Sequence, residues 1–272
     1  MEPTQTKNPI TIPIAIVIAG GLVAGALFLR GGDGVTPGVG KESKEMLPTI
    51  PAPQTITLKP VDASRDHIRG SPAANVMFVE FSDTECPFCK RFHLTMQRII
   101  EEYGKSGNVA WVYRQFPIVE LHSKAPKESE ATECAAELGG NAKFWEYLDR
   151  IFEITPSNDG LDQSELPRIA TAVGLGKEEF NTCLSSGKMK AKVDSDYEDG
   201  VAAGTTGTPY SVLALQTPIS EKQKESALQL MEPLRDSRGG LPISFSQDGR
   251  RIGLTGALPY EIIKAVIEIL LK

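Results

Sequence analysis

Two stretches of the chain run almost without interruption through apolar residues, Val76-Met77-Phe78-Val79-Glu80-Phe81 and Val109-Ala110-Trp111-Val112-Tyr113. Runs of this kind predict strands buried on both faces. Between them Phe88, Cys89, Phe92, Met96, Ile99, Ile100 and Tyr103 recur at helical spacing, and Gly104 marks the stop. Strand, helix and strand in that order predict a βαβ unit whose sheet is covered on both sides. After Phe116-Pro117 the pattern is helical for about 80 residues. Ser123 to Leu138 ends at Gly139-Gly140, and Asn141 is expected to cap a helix carrying Phe144, Trp145, Leu148, Ile151 and Phe152. Asp162 to Val173, Lys177 to Ser185 and Lys188 to Ala203 follow as further helices. Strands resume at Tyr210 to Ala214 and over Pro242 to Leu254, where Gln247-Asp248-Gly249-Arg250 makes a hairpin turn, and Pro259 to Leu271 is a closing amphipathic helix.

Two segments stand outside this pattern. From Ile10 to Leu29 there are 20 residues without a charge, bounded by Lys7 and Arg30, long enough to span a bilayer core of about 30 Å. The expected reading is an uncleaved transmembrane signal anchor over 10–29, with residues 1–9 cytoplasmic and the rest of the chain delivered across the cell membrane. The alternative is secretion after cleavage near Ala24-Gly25-Ala26. Residues 30–60 are rich in Gly, Pro and Thr and read as a flexible linker, although Thr55-Ile56-Thr57-Leu58 alternates like a short strand. The folded domain is then expected over 61–272. Within it, Glu221 to Leu234 has a small stripe of Ala227, Leu230, Met231 and Leu234, so the stretch 215–240 is either a cover for the sheet or a partner-recognition element.

At 272 residues there is room for a sizeable core, and a net charge of -6 with no Lys/Arg block excludes nucleic acid as the main partner. Four cysteines permit two disulfides in an oxidising compartment. The informative pair is Cys86-Pro87-Phe88-Cys89, placed where the first strand hands over to the helix. Cys86 would stand at the positive end of that helix, where unpaired N–H groups favour a thiolate, and Cys89 one turn inside. Pro87 suits the first turn, because its missing N–H has no partner there. This arrangement predicts a redox-active Cys86-Cys89 pair with Cys86 as nucleophile. A zinc half-site is the competing reading, but no second Cys/His pair stands at ligand spacing, so no metal and no cofactor is expected.

Phe81-Ser82-Asp83 leading into Cys-Pro-x-Cys, Lys143-Phe144-Trp145-Glu146-Tyr147 in a helical region, and Gly207-Thr208-Pro209 further on together resemble the DsbA-like thiol-disulfide oxidoreductases. The resemblance covers Val61 to Lys272 and implies an α/β fold, thioredoxin-like, with an inserted all-helical subdomain at about 122–203, here preceded by the transmembrane helix. It implies that Thr208-Pro209 forms the cis-proline loop against the active-site sulfurs, and that Thr208, Pro209, Pro87 and Phe88 face the substrate chain. Glu80 resembles the buried acid that exchanges protons with the inner cysteine; its alternative is a strand residue facing solvent. Where DsbA carries histidine this chain has Phe88, which leaves the helix terminus to stabilise most of the Cys86 thiolate and implies a less oxidising potential. His93 stands one turn past Cys89 and is expected, like His67 and His122, to be a surface or boundary residue. Inserts in relatives sometimes carry a second disulfide, which implies a structural Cys134-Cys183 bridge.

The resulting expectation is a membrane-anchored extracytoplasmic thiol-disulfide oxidoreductase that forms disulfides in exported proteins through Cys86 and Cys89. Its partners would be exported thiol substrates and a quinone-linked membrane reoxidase of DsbB or vitamin K epoxide reductase type, as the resemblance implies. The alternatives are a disulfide reductase or isomerase, and a non-enzymatic membrane-tethered binding module with structural or metal-binding thiols.

Overall fold

The computed structural model describes residues 55–272. The expected anchor over 10–29, the residues before it and most of the 30–60 linker lie outside them; among the described residues no helix is long and apolar enough to cross a membrane.

Six strands form one sheet: β1 (His67–Arg69), β2 (Val76–Ser82), β3 (Val109–Gln115), β4 (Tyr210–Leu215), β5 (Ile243–Phe245) and β6 (Arg251–Thr255), in the order β1-β3-β2-β4-β6-β5. β2 and β3 are parallel, with Val76 opposite Val109 and Ser82 opposite Gln115, and the other pairs are antiparallel. Parallel neighbours need a crossover, and α1 (Pro87–Tyr103) supplies it. Every residue of β2 and β3 is buried, as their unbroken apolar runs predict.

Alternation along the strands divides the core in two. On one face Phe78, Trp111 and Tyr113 pack under α1, whose Phe92, Met96 and Ile99 point inward, and beside α7 (Tyr260–Leu270). On the other face Val79, Phe81, Val112 and Val212 meet Ile56, Leu58 and Ala203. The helical insert comprises α2 (Ala125–Ile154), α3 (Glu165–Ala172), α4 (Lys177–Ser186) and α5 (Lys190–Ala203). It has its own core around Tyr147, Ile151, Ile169 and Phe180. The Cys134–Cys183 disulfide ties α2 to α4 across 49 positions of sequence. In α5, a Cβ on Gly200 would stand 2.5 Å from the Phe116 ring, so only glycine lets the helix approach this closely.

Two expectations need correction, over residues 55–60 and at Asn141. Residues 55–60 do not behave as linker: Ile56 and Leu58 are buried in the second core, and the Lys59 carbonyl accepts from Arg114 at 3.2 Å. The domain therefore reaches back beyond Val61, held by a contact invisible to local sequence pattern. The helix expected to stop at Gly139-Gly140 does so: α2 is two helices that meet at a kink, where Gly140 has a non-helical φ of 72° and ψ of -169° that glycine adopts without strain. Asn141 does not cap a helix there. Its amide instead accepts from Ile68 N at 3.0 Å and donates to Ile68 O at 2.7 Å, occupying the outer edge of the short strand β1.

The 215–240 stretch belongs to the fold. A Ser220–Gln223 capping box starts α6 (Glu221–Met231), and Ala227, Leu228 and Met231 enter the same core as α1 and α7. Leu228 rather than Leu230 forms the centre of its buried stripe, and Leu234 stays largely outside it.

Candidate active site

β2 ends at Ser82, and four residues later Cys86 takes the N-cap position of α1 with extended backbone and Pro87 in the first turn. Its N–H donates to the Asp83 carbonyl at 3.2 Å, and its carbonyl accepts from Lys90 N at 3.0 Å. Both thiols are unbridged. Cys86 is 5% exposed, whereas Cys89, one turn inside, is wholly enclosed. Opposite Cys86 the Thr208-Pro209 peptide is cis, and the Thr208 carbonyl oxygen lies 3.5 Å from Cys86 Sγ. Pro87 and Phe88 face solvent, Phe88 at 54% exposure with the Arg91 guanidinium over its ring at 5.3 Å.

The two thiols are electrostatically unlike. A hydrogen bond from the Cys89 thiol, opposed by burial and supported by Thr208 and the Cys89 and Phe88 N–H groups, lowers Cys86 to about 6. The neighbouring thiol therefore acts on Cys86 together with the N–H groups of the helix terminus. Burial, reinforced by Cys86 and by the charge of Glu80, pushes Cys89 well above its ordinary value. Cys86 is the thiol that ionises near neutrality, and Cys89 the one that keeps its proton.

Glu80 does not face solvent. Burial raises its carboxyl to about 7, and Trp111 Nε1 donates to its Oε2 at 2.9 Å while Oε1 has no partner. A carboxyl that changes protonation near pH 7 beside a buried thiol can exchange a proton with it.

The sequence reading passed over Asp83 except as part of a motif. Its N–H donates to Cys89 Sγ at 3.5 Å, and its carboxylate accepts from Glu85 N at 2.8 Å, Ile118 N at 2.8 Å and His122 Nδ1 at 2.9 Å. One residue thus bolts the cysteine turn to the loop after β3. The three histidines are not surface residues either. All are buried, His93 on Asp149 at 2.7 Å, His67 on Glu133 at 2.8 Å and His122 on Asp83. A carboxylate partner for each makes that burial tolerable.

Glu85, directly before Cys86, is buried as well. Its carboxylate accepts from Thr155 Oγ1 at 3.1 Å, Gly160 N at 3.1 Å and Leu161 N at 3.2 Å, and its carbonyl from Asn158 N at 2.8 Å. These bonds hold the insert loop in which Ser157, Asn158 and Asp159 all have positive φ, a strained run that persists because its surroundings fix it. Charge beside a cysteine in an otherwise ordinary turn was the only sequence signal for this contact.

Among the described residues no group of three or more His, Cys, Asp or Glu side chains is placed to hold a metal ion.

Residues 62–231 match the family model described as thioredoxin. A Na(+)/H(+) antiporter NhaA 1 of Mycolicibacterium gilvum is 34% identical over 154 residues, 56% of this chain and 24% of its own. An NhaA 3 of Salinispora tropica is 31% identical over 150 residues, 55% of this chain and 22% of its own. The chain thus spans less than a quarter of the length of these curated relatives. Among solved structures, DsbA2 of Pseudomonas aeruginosa superposes with a TM-score of 0.54 at 23% identity, covering 78% of this chain and 97% of that one. Oxidised BdbD of Bacillus subtilis superposes with a TM-score of 0.57 at 16% identity, covering 80% and 98%. These likenesses show a thioredoxin fold with a helical insert.

Proposed function

Because the chain belongs to the thioredoxin family, in the DsbA-like form of the fold, we propose that it is a protein thiol-disulfide oxidoreductase that forms disulfides in exported proteins. The observation that carries this reading is the split between Cys86, lowered to about 6 at the head of α1, and the enclosed, proton-retaining Cys89. A substrate thiolate attacks Cys86 Sγ of the oxidised pair and expels the Cys89 sulfur, leaving a mixed disulfide. A second substrate thiolate then attacks the substrate sulfur, forming the substrate disulfide and releasing Cys86 as a thiolate. The cis Thr208-Pro209 loop beside Cys86, with exposed Pro87 and Phe88, is the surface on which the substrate chain lies.

The disulfide in the insert supports an oxidising compartment, and the charge-free run over 10–29 supports a membrane anchor with the domain outside the cell membrane. Turnover as an oxidase needs a partner that removes two electrons from the reduced pair, for which a quinone-linked membrane reoxidase is proposed. Ion transport, named for the antiporter relatives, is not proposed for a chain that spans less than a quarter of their length.

Two measurements test the reading. The Cys86/Cys89 couple is equilibrated against glutathione: a potential at or above about -180 mV supports the oxidase direction, and one near about -270 mV overturns it in favour of a reductase. In cells, Cys89→Ala is expected to accumulate mixed disulfides with exported proteins, and Cys86→Ala to trap none. Equal trapping by both would remove Cys86 as the nucleophile.

A further inference from the structure

If the chain is a thiol-disulfide oxidoreductase, Cys89 must gain or lose a proton in each exchange while wholly enclosed. The sheet face behind it is built for such a transfer. In β2 the alternation sets Glu80 and Ser82 toward α1, and the register places Glu80 beside Tyr113 and Ser82 beside Gln115. Each of these four carries a buried polar atom without a hydrogen-bond partner: Glu80 Oε1, Ser82 Oγ, Tyr113 Oη and Gln115 Oε1. Trp111 Nε1 holds Glu80 by Oε2, leaving Oε1 as its free oxygen. Glu80 and Ser82 stand two residues apart on this face, and Cys89 Sγ accepts from the N–H of Asp83, the residue after Ser82, at 3.5 Å, so the Ser82 hydroxyl, which has no hydrogen-bond partner, belongs to the same buried cluster as the carboxyl and the thiol. A hydroxyl both donates and accepts and can rotate between partners. A buried hydroxyl left unsatisfied is unfavourable for stability, so packing alone would place alanine here as well as serine.

We propose that the Ser82 hydroxyl relays the proton between Cys89 Sγ and Glu80 Oε1. When substrate thiolate breaks the Cys86–Cys89 bond, the departing Cys89 thiolate takes the Ser82 hydroxyl proton while Ser82 Oγ takes the proton of the Glu80 carboxylic acid. The net change is Cys89 thiolate and Glu80 acid becoming Cys89 thiol and Glu80 carboxylate, with Ser82 unchanged. In the reverse exchange Cys89 gives its proton to Ser82, Ser82 gives one to Glu80, and the Cys89 thiolate attacks Cys86. The other titratable groups around the pair are Cys86, Tyr113, Asp83 and, behind Asp83, His122.

The test uses the full chain, a reduced cysteine peptide and, separately, dithiothreitol, with rates followed from pH 5 to pH 9. Ser82→Thr and Ser82→Val differ in the hydroxyl but hardly in shape. The threonine variant is expected to keep the wild-type rate, and the valine and Ser82→Ala variants to lose on the order of 10²-fold. Since a relay leaves the start and end of the proton unchanged, the Cys86/Cys89 potential should not move. Glu80→Gln with Ser82→Ala should be no slower than Glu80→Gln alone. Valine matching threonine, or additive losses in the double variant, would overturn the relay. A wild type inert toward the peptide that still shows the hydroxyl-dependent rate with dithiothreitol would overturn the functional reading and keep the relay.

Discussion

Tyr113 and Arg114 are neighbours in β3, yet they enter two buried polar clusters of opposite character on the two faces of one sheet. Arg114 donates to Asp66 at 2.9 and 3.0 Å, to Asp199, and to the Lys59 carbonyl at 3.2 Å, so its guanidinium is fully engaged. Tyr113 sits with Glu80 and Ser82 among polar atoms that lack partners. A satisfied network fixes geometry, here fastening residues 55–60 and α5 onto the sheet. An unsatisfied one keeps groups free to exchange protons, and it lies behind Cys89, the cysteine proposed to do so. Burial alone does not separate structure from chemistry; the hydrogen-bond inventory does.

The largest effect should come from breaking the satisfied side. Arg114→Met leaves Asp66 and Asp199 buried without a cation and should cost about 3 to 5 kcal/mol in denaturant unfolding, with thiol exchange per folded molecule unchanged. An equal loss of exchange would mean that the two faces are coupled. Glu80→Gln tests the other side with the opposite sign. The folded protein holds the Glu80 proton up to about 7 against an ordinary 4.5, so stability falls as pH rises through that window and stays reduced above it. Glu80→Gln removes this loss and should gain about 3 kcal/mol over wild type at pH 8, with little gain at pH 4, while slowing exchange. A gain independent of pH would rule out ionisation as its cause. Asn141→Ala removes both side-chain bonds to Ile68 and should cost about 1 to 2 kcal/mol. Smallest of all, Tyr113→Phe deletes a hydroxyl that has no partner, and chemical denaturation should register a change under about 1 kcal/mol of either sign. A loss as large as that of Arg114→Met would erase the contrast.

What the sequence disclosed and what it withheld divide along the same line. Unbroken apolar runs announced β2 and β3, helical periodicity announced α1, and the Cys-Pro-Phe-Cys motif fixed where the two thiols stand. These signals are local, and each is read within about 17 residues. β1 was missed because His67, Ile68 and Arg69 are too few and too polar to show a period. The Arg114 network joins residues 48 and 85 positions apart, and Asn141 meets Ile68 from 73 positions away, so no window contains both partners. The histidines looked exposed because their carboxylates lie 66, 56 and 39 positions away in sequence. Glu80 was recognisable only through family resemblance, since strand alternation does not tell which face is dry.

The amide of Asn141 has a meaning beyond stability. A terminal strand with free N–H and C=O groups is a template on which another extended chain can pair. At β1 that template is interrupted at its central residue by a side chain that occupies both groups of Ile68. The opposite edge, β5, is only three residues long. For a protein proposed to meet chains before they have folded, this is protection against co-aggregation: clients are met at the cysteines and find little sheet edge on which to nucleate.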